Sequence, residues 1–451
     1  MKQWKKAGTA VLSVIIVAAL FLGLQRLVMP KYDGTEDMPL EGNFTSEYYE
    51  ETTKHDVLMV GDCEVYENFD PMYLWKNFGI TSYIRGNAQQ LVWQSYYMLE
   101  DALKYETPKA VIYNVQSLTH GSPQREEYNR MTLDGMRWSQ TKIDAIWASM
   151  CKGEKMADYV LPVLRYHSRI TELKKGDLTY YFKNRHITHN GYYMRIDVLP
   201  LSKSDVADGA WLLGTSSEKE KAEEEDEIDD PWAAIDDASE TEEGSQEVSD
   251  EDEIDDPWGD IDDASETEEG SQETSDEDEI DDPWGGIDTE GAGISEPGNE
   301  VAEKKKKDRT FSAYAMEYLD RLRTLCKEKG IQLILIKAPS LSPQWYEEEN
   351  EQVTEYAKKY GLPYINFYEL LEETGIDFET DTYDGGLHMN LSGADKLSEY
   401  LGTVLKEKYG MKDHRGDKTL SKVYEKKLKF YETMKKEQEK ELKKYGEIRT
   451  Y

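Results

Sequence analysis

The stretch DVLMVGDCEVYENFDP, Asp56 to Pro71, decides the fold. Val57–Val60 is an unbroken apolar run, as expected of a strand covered on both faces. Gly61-Asp62 breaks it, and Cys63 follows at once. Residue types alone leave three readings of Cys63 open: a nucleophile, the relic of one, or a small apolar residue at a turn.

Downstream the strand–helix rhythm continues. Pro71–Asn77 reads as a short helix, Ser82–Ile84 as a strand and Leu91–Lys104 as a helix, and KAVIYNV, Lys109–Val115, as a third strand. That alternation predicts an α/β domain built on a parallel sheet. Residues 125–183 are rich in Trp, Tyr and Met and predict a helical cap. After residue 307 the rhythm resumes with a helix over Phe311–Lys329, the apolar strand IQLILIKAP (331–339), a helix over Gln344–Tyr360, the strand PYINF (363–367) and a final loop and helix. The second half supplies only two strong strands, so both halves are expected to share one sheet. Residues 413–451 form a Lys/Glu-rich tail whose apolar positions, among them Leu420, Tyr424, Leu428 and Tyr431, predict an amphipathic helix.

The formal net charge is −38, which argues against nucleic acid as a partner. Residues 218–300 hold 38 acidic residues against two lysines, so they carry −36 and the remainder only −2. Here DEIDDPW recurs at 226–232, 252–258 and 278–284, a 26-residue period, with IDDASETEEGSQE between copies. Apolar residues are too scarce to bury a core, so 216–307 reads as a disordered acidic insert rather than a solenoid. Its carboxylates lack the spaced acidic loop and closing Glu of a dedicated calcium site.

At the N-terminus Lys2, Lys5 and Lys6 precede an uncharged run from Ala7 to Gln25. At about 1.5 Å per residue the run comes close to the roughly 30 Å of a bilayer's hydrocarbon core. With no small-residue cleavage pattern, 1–30 reads as an uncleaved signal anchor whose basic flank stays cytoplasmic. The membrane is therefore an expected partner, with residues 31–54 a stalk and domain segments at 55–215 and 308–412 on the extracellular side. The three cysteines are too few for a disulfide scaffold; Cys151 and Cys326 read as small core residues. His186 and His189 in NRHITHN have no nearby Cys or carboxylate in sequence, so they read as an ordinary polar loop rather than a zinc site. No cofactor is indicated.

Two loops carry chemistry: Gly61-Asp62-Cys63-Glu64 after the first strand, and Asp384-Gly-Gly-Leu-His388 before the last helix of the domain. In an open parallel sheet, loops at the carboxyl ends of strands form the crevice. A nucleophile, a general base (His388) and its orienting carboxylate (Asp384) can meet there, with the backbone N–H groups of Cys63 and Gly86 and the side chain of Asn114 as oxyanion donors. The flanking Asp62 and Glu64 are expected to disfavour a thiolate.

On VLMVGDCEVYENFDPMYLW, GITSYIRGNAQQLVWQSYYMLEDALKYETPKAVIYNV and YDGGLHMNLSGADKLSEYLG, the chain resembles the SGNH/GDSL-type acyl hydrolases, specifically a membrane-anchored Gram-positive subgroup. The resemblance covers about residues 55–205 and 306–410. It implies a three-layer flavodoxin-like SGNH fold and esterase or O-acyltransferase chemistry on a cell-wall polysaccharide or teichoic polymer, beside a membrane-bound O-acyltransferase. Cys63 falls on the family's nucleophilic serine, Gly86 on its second-block glycine, Asn114 on its third-block asparagine, and His388 and Asp384 on its last block. The chain departs from the pattern in having Cys for Ser, in lacking Gly-x-Asn-Asp around Asn114, and in carrying one residue more than the usual Asp-x-x-His spacing. The competing expectation is a degenerate fold that binds glycan or assists the acyltransferase.

Overall fold

The structure, a computed structural model, describes residues 2–32, 39–180, 186–200, 308–341 and 345–449. The acidic repeat insert expected at 216–307 lies outside the described residues.

Five parallel strands form one sheet: β1 (Val57–Gly61), β2 (Ser82–Gly86), β3 (Ala110–Asn114), β4 (Gln332–Lys337) and β5 (Tyr364–Asn366), in the order β2-β1-β3-β4-β5. β3 and β4 pair from Ala110↔Gln332 to Asn114↔Ile336, so the sheet joins chain from both sides of residues 201–307.

Side-chain alternation divides each strand between two cores. Met59, Ile112 and Ile334 face one side; Leu58, Val111 and Leu333 face the other. All are buried, which explains the unbroken apolar runs. The helices that matter below are α1 (Lys2–Val28), α2 (Cys63–Tyr66), α3 (Val92–Ala102), α4 (Gln140–Ser149), α5 (Ala313–Glu328), α6 (Glu347–Tyr360), α7 (Leu391–Tyr409) and α8 (Lys418–Tyr445). Leu391, Leu397 and Leu401 of α7 cover the first side. Leu99 of α3, Leu322 of α5 and Val353 of α6 cover the second, and Ile146 of α4, a helix of the expected cap packed on α3, joins the same core.

α1 contains Val11–Val28, a stretch of mean hydropathy 2.3 of which only 11% is buried, long and apolar enough to cross a membrane. The expected stalk is corrected in part. Residues 39–50 form short helical turns that place Leu40, Phe44 and Tyr48 in the two cores. Glu47 is buried there and accepts hydrogen bonds from the backbone N–H groups of Ile187 (2.9 Å) and Thr188 (3.1 Å).

The tail helix α8 packs on the domain. Tyr424 stacks on Trp75 with ring centroids 4.0 Å apart, Tyr431 donates to Asp70 at 2.7 Å, and Gln438 donates to the Met194 carbonyl at 2.9 Å. Cys326 is buried, whereas Cys151 is only half-buried and accepts from Asn129.

Candidate active site

The chain leaves β1 upward into β2 on one side and returns to β3 on the other. The crevice of such a sheet lies where the order reverses, at the carboxyl ends of β1 and β3. Cys63 opens α2 there, two residues past the end of β1, and Asn114 ends β3.

Gly61 makes this turn possible. Its φ is +155°, and a Cβ would lie 2.5 Å from Val65 Cγ2 and 3.2 Å from Asn114 Cβ. Gly86, paired with Gly61 in the sheet, has the same role from the neighbouring strand: a Cβ would come 3.1 Å from the Gly61 carbonyl oxygen. Its backbone therefore lies directly against the Gly61–Asp62 turn.

The second loop is folded around one carboxylate. Asp384 Oδ2 is 2.6 Å from His388 Nδ1, while Asp384 Oδ1 accepts the backbone N–H of His388 at 2.8 Å. The extra residue between Asp384 and His388 is thus accommodated: one carboxyl holds both the ring and the backbone of the histidine four positions on. Thr382 braces the loop, donating to the His388 carbonyl (2.8 Å) and accepting from the Gly386 N–H (2.8 Å). Asn390 then caps α7 through the N–H groups of Ser392 and Gly393, so the histidine sits just before a fixed helix end.

The His388 imidazole and the Cys63 thiol each shift the other's pKa. Burial pushes the Cys63 thiol up to about 11, with His388 pulling it back only in part. Burial also opposes the imidazolium of His388, but Glu67, Cys63 and Asp384 outweigh it and raise its pKa well above 6.5. Burial thus favours the neutral thiol, while the surrounding carboxylates favour the protonated imidazole.

Several groups at this site had no place in the reading of the sequence. Glu67, one helical turn beyond Cys63, is buried, lies 3.8 Å from His388 Nδ1 and accepts a short hydrogen bond from Tyr383. Burial raises its pKa, as does Asp384, against the pull of His388. Glu41 senses the same pair: burial lifts its carboxyl to about 7, its own backbone N–H opposes this, and Glu67 adds to it. Arg195 pairs with Asp197 at 2.6 Å and lies over the Tyr383 ring.

Behind Cys63 lies a second network. Lys337 is completely buried and donates to both Glu64 oxygens, at 2.9 and 2.8 Å, and to the Ala338 carbonyl at 2.8 Å. Asn114 donates to Asp62 (3.1 Å) and Glu64 (2.8 Å) and accepts from the Ala338 N–H (3.2 Å). Both its amide hydrogens are thereby engaged, leaving none for an oxyanion. The expected opposition of Asp62 and Glu64 to a thiolate is also softened. Glu64 is ion-paired, and burial, with Glu64 adding, lifts the Asp62 carboxyl to about 7.

His186 and His189 diverge. His186 faces Glu50 at 3.4 Å, whereas His189 is buried near Met434 Sδ. Among the described residues no group of three or more His, Cys, Asp or Glu has the geometry of a metal site.

No protein-family model, no curated protein and no solved structure matches the chain.

Proposed function

We propose that this chain is a cell-surface acyl esterase or O-acyltransferase of the SGNH/GDSL kind, acting on a cell-wall polysaccharide or teichoic-type polymer through Cys63, His388 and Asp384. One observation carries the reading. Cys63, two residues past β1 where the strand order reverses, and the Asp384–His388 pair that precedes α7 are near enough for the thiol and the imidazole to shift each other's pKa. The order β2-β1-β3-β4-β5 is that of flavodoxin-like sheets, as an SGNH fold requires.

In the proposed reaction His388, held by Asp384, takes the Cys63 proton as Sγ attacks the ester carbonyl. The C–O bond of the tetrahedral intermediate breaks, and His388 returns the proton to the departing alkoxide, leaving a thioester on Cys63. Water or a polymer hydroxyl, deprotonated by His388, attacks that thioester. The acyl group leaves as acid or new ester, and the thiol regains its proton. The N–H groups of Cys63 and Gly86 are the proposed oxyanion donors; Asn114, engaged behind the nucleophile, takes a positioning role. The length and apolarity of α1 and its basic flank support a single-pass span with the domain outside the cell membrane, where a membrane-bound O-acyltransferase is the proposed partner.

A second reading is favoured by the high thiol pKa: a degenerate site on a fold that binds glycan or assists an acyltransferase. Hydrolysis of a chromogenic acetyl ester by the full chain separates the two. Activity lost in both Cys63→Ala and His388→Ala supports the enzyme. Activity gained only in Cys63→Ser marks the degenerate site. No activity in any form, Cys63→Ser included, overturns the catalytic reading.

A further inference from the structure

The carboxyl-terminal end of α1 does not project freely from the domain. Gln25 is buried, and its side-chain oxygen accepts the Val163 N–H at 2.7 Å. Arg169 donates to the carbonyls of Val28 (3.1 Å) and Met29 (2.5 Å), closing the helix end. The short helical turns Met156–Val160, Pro162–Tyr166 and His167–Thr171 are thus fastened to the last turn of the apolar stretch Val11–Val28.

That attachment fixes a depth. If α1 spans a bilayer, Gln25 lies three residues before the end of the apolar stretch, about 5 Å along the helix axis. The Val163 backbone bonded to it is then at the boundary between acyl chains and headgroups. At that level the segment exposes large apolar side chains: Val160 (50%), Leu164 (51%), Ile170 (44%) and, slightly further on, Leu178 (61%). Lys155, Lys174 and Lys175 are exposed on the same segment. Exposed apolar side chains flanked by lysines, here with one exposed acid, Glu172, are the composition of elements that lie in the headgroup boundary of anionic membranes, sunk about 5–10 Å.

The segment is also braced to the domain. Arg165 pairs with Glu126 at 3.0 Å, the Arg130 guanidinium lies 4.1 Å over the Tyr159 ring, and Tyr180 donates to Asn43 at 2.9 Å. A contact made here would be transmitted to the sheet rather than absorbed by a loose loop.

We infer that residues 156–180 form a membrane seat: their exposed apolar side chains enter the outer face of the same bilayer that α1 crosses, with the lysines at anionic headgroups. Two attachments, the span and the seat, set the domain at one tilt on the surface, whereas the span alone would leave it free to swivel. The proposal rests on the reading of α1 as a span, and its test separates the two.

The full chain is reconstituted into vesicles of phosphatidylcholine and phosphatidylglycerol. A photoreactive p-benzoylphenylalanine replaces, one at a time, Leu20 within α1, Leu164 and Leu178 in the seat, and Tyr445 on α8. All four positions are exposed, so the substitutions do not disturb the core. Lipid adducts are read by mass spectrometry after irradiation. The seat predicts adducts at 20, 164 and 178 and none at 445. Adducts at 20 but not at 164 or 178 would overturn the seat and leave the span standing. No adducts at 20 would overturn the span and the seat together. In adduct-positive chains, Leu164→Glu combined with the label at 178 should lose the adduct at 178; its persistence would contradict a single seated element.

Discussion

The two sides of Cys63 are built on opposite electrostatic plans. Behind it, Lys337 bonds both oxygens of Glu64, and Asn114 donates to Glu64 and to Asp62, whose carboxyl burial lifts to about 7. In front, one imidazole faces Asp384 and Glu67, with Glu41 close enough to be felt. The first side is buried and holds its one cation against Glu64. The second is short of positive charge, and it meets the shortage by keeping protons on the imidazole and on the carboxyl of Glu41. A paired cation and carboxylate fix a loop; buried groups with raised pKa values titrate, and titration is what acid–base chemistry uses.

The largest effect should come from breaking the Lys337–Glu64 pair. Lys337→Met leaves Glu64 buried without its cation, a change that costs about 3–5 kcal/mol in comparable settings. Denaturant unfolding of the full chain should show a loss of that order, and Lys337→Met combined with Glu64→Gln should recover most of it. A loss below about 1 kcal/mol would mean that the pair contributes little to the β1–α2 turn.

On the front side, Glu41 ties stability to pH. Its carboxyl rises from 4.5 to about 7 on folding, so between those values the folded chain holds more proton than the unfolded one. Stability contributed by that proton is complete below 4.5 and is lost as pH rises through 7. Glu41→Gln should remove about 2 kcal/mol of the decline across this window, measured as the difference between the two pH–stability curves. Parallel curves would mean Glu41 is as solvated folded as unfolded. His388 acts in the same sense from its own starting point: its contribution is complete below 6.5 and is lost as pH rises through the higher folded value.

Glu67→Gln sharpens the contrast more gently. Removing one carboxylate beside the imidazolium should lower the His388 pKa by about one unit, or about 1.4 kcal/mol. If the site hydrolyses esters, the acidic limb of the pH–rate profile should move down with it, making the variant faster than wild type near neutrality. NMR titration of the His388 ring gives the same shift independently of activity. An unmoved titration would show that Glu67 is already neutral.

The sheet was legible because its strands are buried on both faces. Val57–Val60 and the 331–339 run can satisfy that only as central strands, and the predicted order of elements followed. Cys63 and the Asp384–His388 loop were legible because glycines and chemistry-bearing residues coincide at strand and helix ends. What was hidden depends on distance along the chain. Lys337 lies inside the run read as an apolar strand, and nothing near it in sequence announces Glu64, 273 residues away. Glu67 was in plain view one helical turn past Cys63, but its meaning lies in His388 and Tyr383, which arrive from the far end of the chain. Residues 39–50 passed for a stalk because Phe44 and Tyr48 stand among polar residues; their burial depends on partners such as Tyr66 and Tyr83.

The central claim is that Cys63 and His388 titrate as one unit. Its most direct test is the rate of Cys63 alkylation by iodoacetamide as a function of pH, in the full chain and in His388→Ala. The modified Cys63 peptide is read by mass spectrometry so that Cys151 and Cys326 do not contribute. Because His388 pulls the thiol pKa down against burial, its removal should slow alkylation of Cys63 by about tenfold at about pH 8 and move the profile to higher pH. An unchanged or faster rate in His388→Ala would contradict the coupling and, with it, the Cys63–His388–Asp384 site.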